Sequence, residues 1–453
     1  MATAITISGG TQGFHYAFTV TGTHTTFYAQ QFADSVNSLL SDGELYATLS
    51  PTTGGANNAN PAYAEPIYVL TPTGGTGNTL NFVVPTNGYV VDTIGGDQTI
   101  TGAATGGDSI LVAGVNPLAV VNTAGADNLI VFVDGNNTYN GFEGSAQSSG
   151  DTVIAGSGFD TVNTGTGSTT VYSGTGDATI YLHDTGSAMD NVFLDDGQST
   201  VYAAGGNDAI YTTVDNQKII DISQSGSLIV GLGGYGTNGA TIVNLFNSDV
   251  NATVYAGTGN NTITSGSGTL TVAEAPGAIN FVNLGLGTTS IFGAATNDVV
   301  LGSNGSSGTG TFIAGVGSET LSGGAATANL TLFANGHTTL PGGGASYDSL
   351  VGGSGNDTLV GGGGSDTLDG GTGANLFVLD AGVTANASIT IGDFYASSNN
   401  MVGLAGFTQQ DVNTILNGGT EENGNYVVTL SNNVTLTFDG ITSSQLSGHI
   451  VTF

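Results

Sequence analysis

Short apolar runs alternate with small and polar residues along most of the chain, and their spacing changes three times. In AQQFADSVNSLLSDG, Phe32, Val36, Leu39 and Leu40 fall near the 3.6-residue period of a helix that Gly43 can end. Around it, Ile5 and Ile7 alternate with small residues, and residues 15–20, 46–49, 67–70 and 80–84 read as strands between turns rich in Gly, Asn and Pro. Residues 1–90 are therefore expected to form a small α/β domain, a cap or an assembly module.

From 91 to 342 the pattern becomes a series of degenerate short units, such as GDQTITG, GADNLIVF, GGNDAIYT and GTGNNTITSGSGTLTV. Each unit joins a turn of Gly, Asp, Asn or Ser to a short strand whose Val, Ile, Leu or Tyr can point inward. One unit cannot bury its apolar side alone, whereas stacked units can, which predicts a parallel β-solenoid. The alternative is a β-sandwich with Gly-rich loops, although sandwich strands are usually longer. Residues 343–378 are the most regular: GGASYDSLV, GGSGNDTLV, GGGGSDTLD and GGTGANLFV follow without a gap. Their sixth positions are Asp348, Asp357, Asp366 and Asn375, and their eighth are Leu350, Leu359, Leu368 and Phe377. The fold class is thus mainly β, a β-helix or β-roll solenoid behind a small α/β domain.

Composition sharpens this. The chain has 77 Gly and 8 Pro without a period of three, which excludes collagen. It carries 34 acidic residues against one basic residue, Lys218, for a formal charge of −33. Nucleic acid and anionic membrane surfaces reward basic clusters that this chain lacks, so neither is an expected partner. Either wide spacing tolerates the repulsion or divalent cations offset part of it. No cysteine is present, so disulfide and thiolate chemistry are absent. The N-terminal segment lacks the basic and apolar regions of a classical signal peptide, and no apolar stretch approaches the ~18 residues of a membrane span.

The four nonapeptides resemble the RTX repeat, GGxGxDxUx, in which U is a large apolar residue. The resemblance implies calcium-binding turns followed by short strands, with two nonapeptides to a coil. Asp348 and Asp366 would then line one edge of the roll and Asp357 and Asn375 the other, with calcium between successive turns held by carboxylates and backbone carbonyls. Asp348, Asp357, Asp366, Asn375 and Asp369 are the candidate ligands. Ser346 departs from the pattern by replacing a repeat glycine, and Asn375 by being neutral, which implies two or three ions. Upstream, Asp160, Asp177 and Asp208 occupy eroded versions of the motif, where each is either a ligand or a residue that caps its own turn. Residues 379–453 resemble the C-terminal region of RTX proteins exported by type I systems, through Ile391, Asp393 and Phe394, Val402 and Leu404, residues 435–438, Gly440 and the apolar terminus 450–453. That implies export without an N-terminal signal, type I machinery as a partner, and folding outside the cell where calcium is abundant.

Catalytic signatures are sparse. His15, His24, His183, His337 and His449 form no HExxH, and there is no GxSxG. His183 beside Asp184 reads as a turn rather than a catalytic pair. GLGGYG lacks the helix and acidic residue of a nucleotide fingerprint. Trp is absent, and Tyr139, Tyr172, Tyr181, Tyr202, Tyr211 and Tyr255 are expected to complete the solenoid surface or its cap. The expected function is an exported, calcium-dependent structural protein of a bacterial surface or biofilm matrix, self-assembling into a filament or layer. A polysaccharide-active enzyme using paired carboxylates is the alternative, and a carbohydrate-binding adhesin is the third reading.

Overall fold

The computed structural model describes residues 2–9, 13–42, 46–49, 67–71, 80–84, 88–114, 117–144, 150–183, 188–214, 216–233, 240–275, 279–283, 285–293, 299–301, 308–315, 317–324, 326–334 and 347–453. Asp184, His337 and Ser346 lie outside them. The chain divides into two units, Met1–Ile229 and Val230–Phe453. Each is a parallel β-solenoid whose coils contribute one strand to each of two sheets.

In the first unit, one sheet runs from Tyr46–Leu49 through Ile67–Leu70, Tyr89–Asp92 and Ser109–Val112 to Asn191–Leu194 and Asn207–Thr212. The other runs from Leu80–Val83 through Gly96–Thr101 and Pro117–Asn122 to Thr200–Ala203 and Lys218–Asp221. Equivalent residues stack in register, because a parallel ladder repeats the same side chain direction coil after coil. Ile110, Ile130, Val153, Val171, Val192 and Ile210 form one fully buried column, and Ile100, Val121, Tyr139, Val162, Ile180 and Val201 form the facing one. The parallel ladder already includes Ile67–Leu70 and Leu80–Val83, ahead of the boundary expected at 90.

What precedes that ladder is a hairpin, Thr3–Gly9 with Phe14–Val20, and the helix Thr23–Ser41. The helix is longer than its clearest periodic stretch, yet it buries the predicted face: Ala29, Phe32, Ala33, Val36 and Leu40. These pack on Ile5, Ile7, Phe18 and Val20 of the hairpin and on the outer face of the first sheet, at Ile67, Val69, Val91, Leu111, Val131 and Ile154. This sideways docking explains the continuous apolar runs Ser109–Val112 and Leu129–Phe132, since a strand covered on both faces need not alternate. Beyond the helix the outer face of this sheet is exposed or half-exposed, and the runs revert to alternation, as in Asn191–Leu194.

In the second unit the columns are Val254, Val272, Ile291, Phe312, Leu332, Leu359, Phe377 and Val402 on one side, and Val243, Ile263, Val282, Leu321, Leu350 and Leu368 on the other. The nonapeptide strands pair directly with the less regular coils before them, Leu321 beside Leu350 and Leu332 beside Leu359. The C-terminal segment adds Ser388–Ile391 and Thr435–Phe438 to one sheet and Met401–Ala405 and Ile450–Thr452 to the other. It ends in an antiparallel ribbon of Thr420–Glu422, Asn425–Thr429 and Thr435–Phe438 beside the helix Gln409–Asn417, which Thr408 and Asp411 close with a capping box.

Phe32 is the largest helix side chain in the first unit's lateral core, 1% exposed. Phe32→Ala is expected to cost about 3–5 kcal/mol of that unit's stability. Denaturant unfolding measures the loss, and limited proteolysis should cut first within residues 14–42.

Candidate metal centre

One position in each coil, two residues before the inward core residue, organises the turns. In residues 347–400 its occupants are Asp348, Asp366 and Ile389 on one edge and Asp357, Asn375 and Asn400 on the other, each 2% exposed or less. On one edge the Glu319 N–H donates to Asp348 Oδ1 at 3.0 Å, and the Asp348 N–H donates to Asp366 Oδ1 at 3.2 Å, 18 residues on. On the other edge the Leu330 N–H donates to Asp357 Oδ1 (2.8 Å), the Asp357 N–H to Asn375 Oδ1 (2.9 Å) and the Asn375 N–H to Asn400 Oδ1 (2.8 Å). The pairs expected to share an edge do so. The second carboxylate oxygen turns back into its own loop: Gly353 N–H donates to Asp357 Oδ2 at 2.6 Å and Gly362 N–H to Asp366 Oδ2 at 2.9 Å.

These hydrogen bonds favour the charged carboxylate, but burial outweighs them. Desolvation raises Asp357 above the usual carboxylate range, and burial, helped by the charge of Asp348, pushes Asp366 up to about 7. The carboxylates thus bring negative charge into a site that holds no compensating cationic side chain, since Lys218 is the chain's only Lys or Arg.

The glycines bring oxygen close as well. A Cβ at Gly355 would lie 2.0 Å from the Ala328 carbonyl oxygen, and one at Gly373 1.9 Å from that of Gly355. No side chain fits there, so carbonyl oxygens and carboxylates crowd successive turns. An all-oxygen, anionic donor set of this kind suits calcium, a hard cation that takes six to eight oxygen ligands. Among the described residues no three of His, Asp and Glu converge on a metal position. A metal at these turns would therefore draw on backbone oxygens around Asp348, Asp357 and Asp366, neutralising their charge. Asn375 supplies a ladder oxygen without charge. Asp369 stands apart: it ends the strand Ser365–Asp369, is half-buried, and is raised by burial and by the charges of Asp393 and Asp439.

The same ladder runs through the first unit with a mixed set of side chains. Asp108 N–H donates to Asn128 Oδ1 (3.0 Å) and Asn128 N–H to Asp151 Oδ1 (2.9 Å); Asn137 N–H donates to Asp160 Oδ1 (2.7 Å), Ser199 N–H to Gln217 Oε1 (2.8 Å) and Asp190 N–H to Asp208 Oδ1 (3.3 Å). Asp160 and Asp208 lie in the ladder. Asp177 lies one residue before it, where Ala178 takes the ladder position and Asp177 accepts the Gln198 N–H at 2.7 Å. Burial pushes Asp108 up to about 6 and Asp160 up to about 7. Tyr139, expected at the surface or cap, is instead a core residue whose hydroxyl donates to Asp151 Oδ2 at 2.6 Å. Asp108, Asp151 and Asp190 were legible only as a Gly- or Ala-rich turn ending in an acid. The pairing of His24 Nδ1 with both Asp195 oxygens, at 2.9 and 2.8 Å, had no local signal because 171 residues separate them.

Raised carboxylates fix a pH dependence. For Asp366 the folded value of about 7 exceeds the unfolded value near 3.8, so protonation favours the folded state. Its contribution is present below pH ~4 and lost as pH rises through 7. In chelator, thermal unfolding of the second unit should therefore occur at a higher temperature at pH 5 than at pH 7.5. Calcium at pH 7.5 should recover the difference, and Asp366→Asn should reduce it.

The RTX calcium-binding nonapeptide-repeat family model matches four copies, over residues 146–180, 248–269 and 342–377. No curated protein and no solved structure matches the chain. In 248–269 the ladder position holds Ala252 and Asn261, so those turns keep the repeat's shape without its acid. The conjunction of the family match, the stacked carboxylates and the side-chain-free turns identifies this chain as an RTX-type protein whose nonapeptide repeats bind calcium.

Proposed function

We propose that this protein is an exported, calcium-dependent structural component of a bacterial cell surface or biofilm matrix, and that copies of it assemble into filaments or a layer. The observation that carries this reading is the use of its polar side chains. Most of the buried Asp, Asn and Ser residues described above bind the backbone of a neighbouring coil. Outside the core, Asn122, Asn140 and Asn163 form a hydrogen-bonded column, with Nδ2 to Oδ1 distances of 2.8 and 2.7 Å. On the other sheet Tyr172, Phe193 and Tyr211 stack face to face at 4.9 and 5.4 Å. Those ring faces cover one another, which disfavours the flat aromatic platform that a sugar-binding adhesin would offer. Such chemistry builds a rigid repetitive body.

Charge supports a role for calcium in assembly. Two copies at −33 repel strongly at low ionic strength, and divalent cations are suited to bridge acidic surfaces. Export by type I machinery agrees with the C-terminal resemblance, and with a fold whose repeat turns need calcium that is scarce inside cells.

Light scattering of the full metal-free chain during calcium titration, with electron microscopy at the endpoint, tests the reading. Ordered filaments or sheets appearing with calcium are expected. A compact monomer persisting at millimolar calcium would overturn calcium-driven assembly and bring glycan turnover and glycan binding, the second and third readings, to the front.

A further inference from the structure

The fourth nonapeptide turn, residues 370–375, carries Asn375 where its predecessors carry Asp. In the two preceding turns the second glycine's N–H is accepted by the turn's own sixth residue, Gly353 by Asp357 Oδ2 and Gly362 by Asp366 Oδ2. Asn375 cannot repeat this. Its Oδ1 already accepts the Asp357 N–H at 2.9 Å, which fixes the amide's orientation and leaves Nδ2 on the side where a carboxylate oxygen would sit. That Nδ2 is buried without a hydrogen-bond partner. An amide nitrogen there offers a donor where the backbone also offers a donor.

The missing acceptor arrives from the following coil. Asp393 Oδ2 accepts the Gly371 N–H at 2.6 Å and Oδ1 accepts the Gly370 N–H at 2.7 Å. Its position is fixed from both sides. Gly392 continues the ladder through its N–H to the Leu368 carbonyl, and Phe394 is 3% exposed, packed against Phe377, Phe438 and His449 at ring distances of 6.1, 5.6 and 6.0 Å.

We propose that Asp393 is a positioning residue that supplies, from the next coil, the carboxylate that Asn375 lacks, so that the last repeat turn is completed only when residues 388–401 dock on it. The C-terminal segment is then an integral part of the repeat turn rather than a separate tail. Both donors and the acceptor lie within one chain, so the inference is independent of whether copies assemble.

The test is residue-resolved amide exchange on the full calcium-loaded chain, with Asp393→Ala and the double variant Asn375→Asp with Asp393→Ala. Asp393→Ala should speed exchange at both Gly370 and Gly371 at least tenfold while Leu129–Phe132 stays protected. In the double variant the carboxylate introduced at position 375 should accept as Asp357 and Asp366 do, restoring slow exchange at Gly371 and leaving Gly370 fast. Unchanged exchange at both glycines in the single variant would overturn the proposal. So would a double variant in which Gly371 remains as fast as in the single one, since a merely structural Asp393 would not be replaceable from position 375.

Discussion

A backbone N–H in one coil bonded to a side-chain oxygen in the next is the interaction on which both solenoid units depend. The parallel ladder satisfies the strands, but each coil must also turn twice, and its turns carry buried N–H groups that no strand can pair. Placing an oxygen-bearing side chain two residues before the inward core residue answers that need at many of the turns, although Ala178, Ala252 and Leu270 stand at others. It also fixes register, because the acceptor must sit directly above its donor. Asp, Asn, Ser and Gln all serve, which explains how the repeat can lose its regularity while the coil persists.

Where the oxygen belongs to a carboxylate, the same bond brings charge into the interior. Burial then raises Asp160, Asp357 and Asp366, and something must neutralise them: a proton at low pH or a cation at neutral pH. Along much of unit one neutral residues separate the acids, as Asn128 does between Asp108 and Asp151, although Asp190 and Asp208 follow one another. In residues 347–378 the acids crowd together on turns lined by glycine, which predicts that metal binding and folding are coupled there. Asp393 extends this logic to the last turn.

Much of this was legible in the sequence. The nine-residue spacing predicted the inward Leu column, and the resemblance those repeats carry implied two nonapeptides to a coil and the two edges. The helix was legible from Phe32, Val36 and Leu40, but not the surface it covers; the apolar runs at Ser109–Val112 and Leu129–Phe132 were the available clue. Tyr139 was misplaced because its ring is amphipathic, and its buried hydroxyl finds partners in Asp151 and Thr123. His24 with Asp195 and Asp393 with Gly370 and Gly371 were hidden, since coil stacking joins residues by height rather than by sequence distance.

Hydrogen exchange of the full chain, compared in chelator and in millimolar calcium at pH 7.5, measures the coupling between ladder charge and metal most directly. Residues 347–378 should be poorly protected in chelator and gain strong protection with calcium, while 158–182 and 251–274, with their neutral or interleaved ladders, should change little. Equal gains in all three segments, or no gain at 347–378, would contradict the view that consecutive buried carboxylates set where this protein needs calcium.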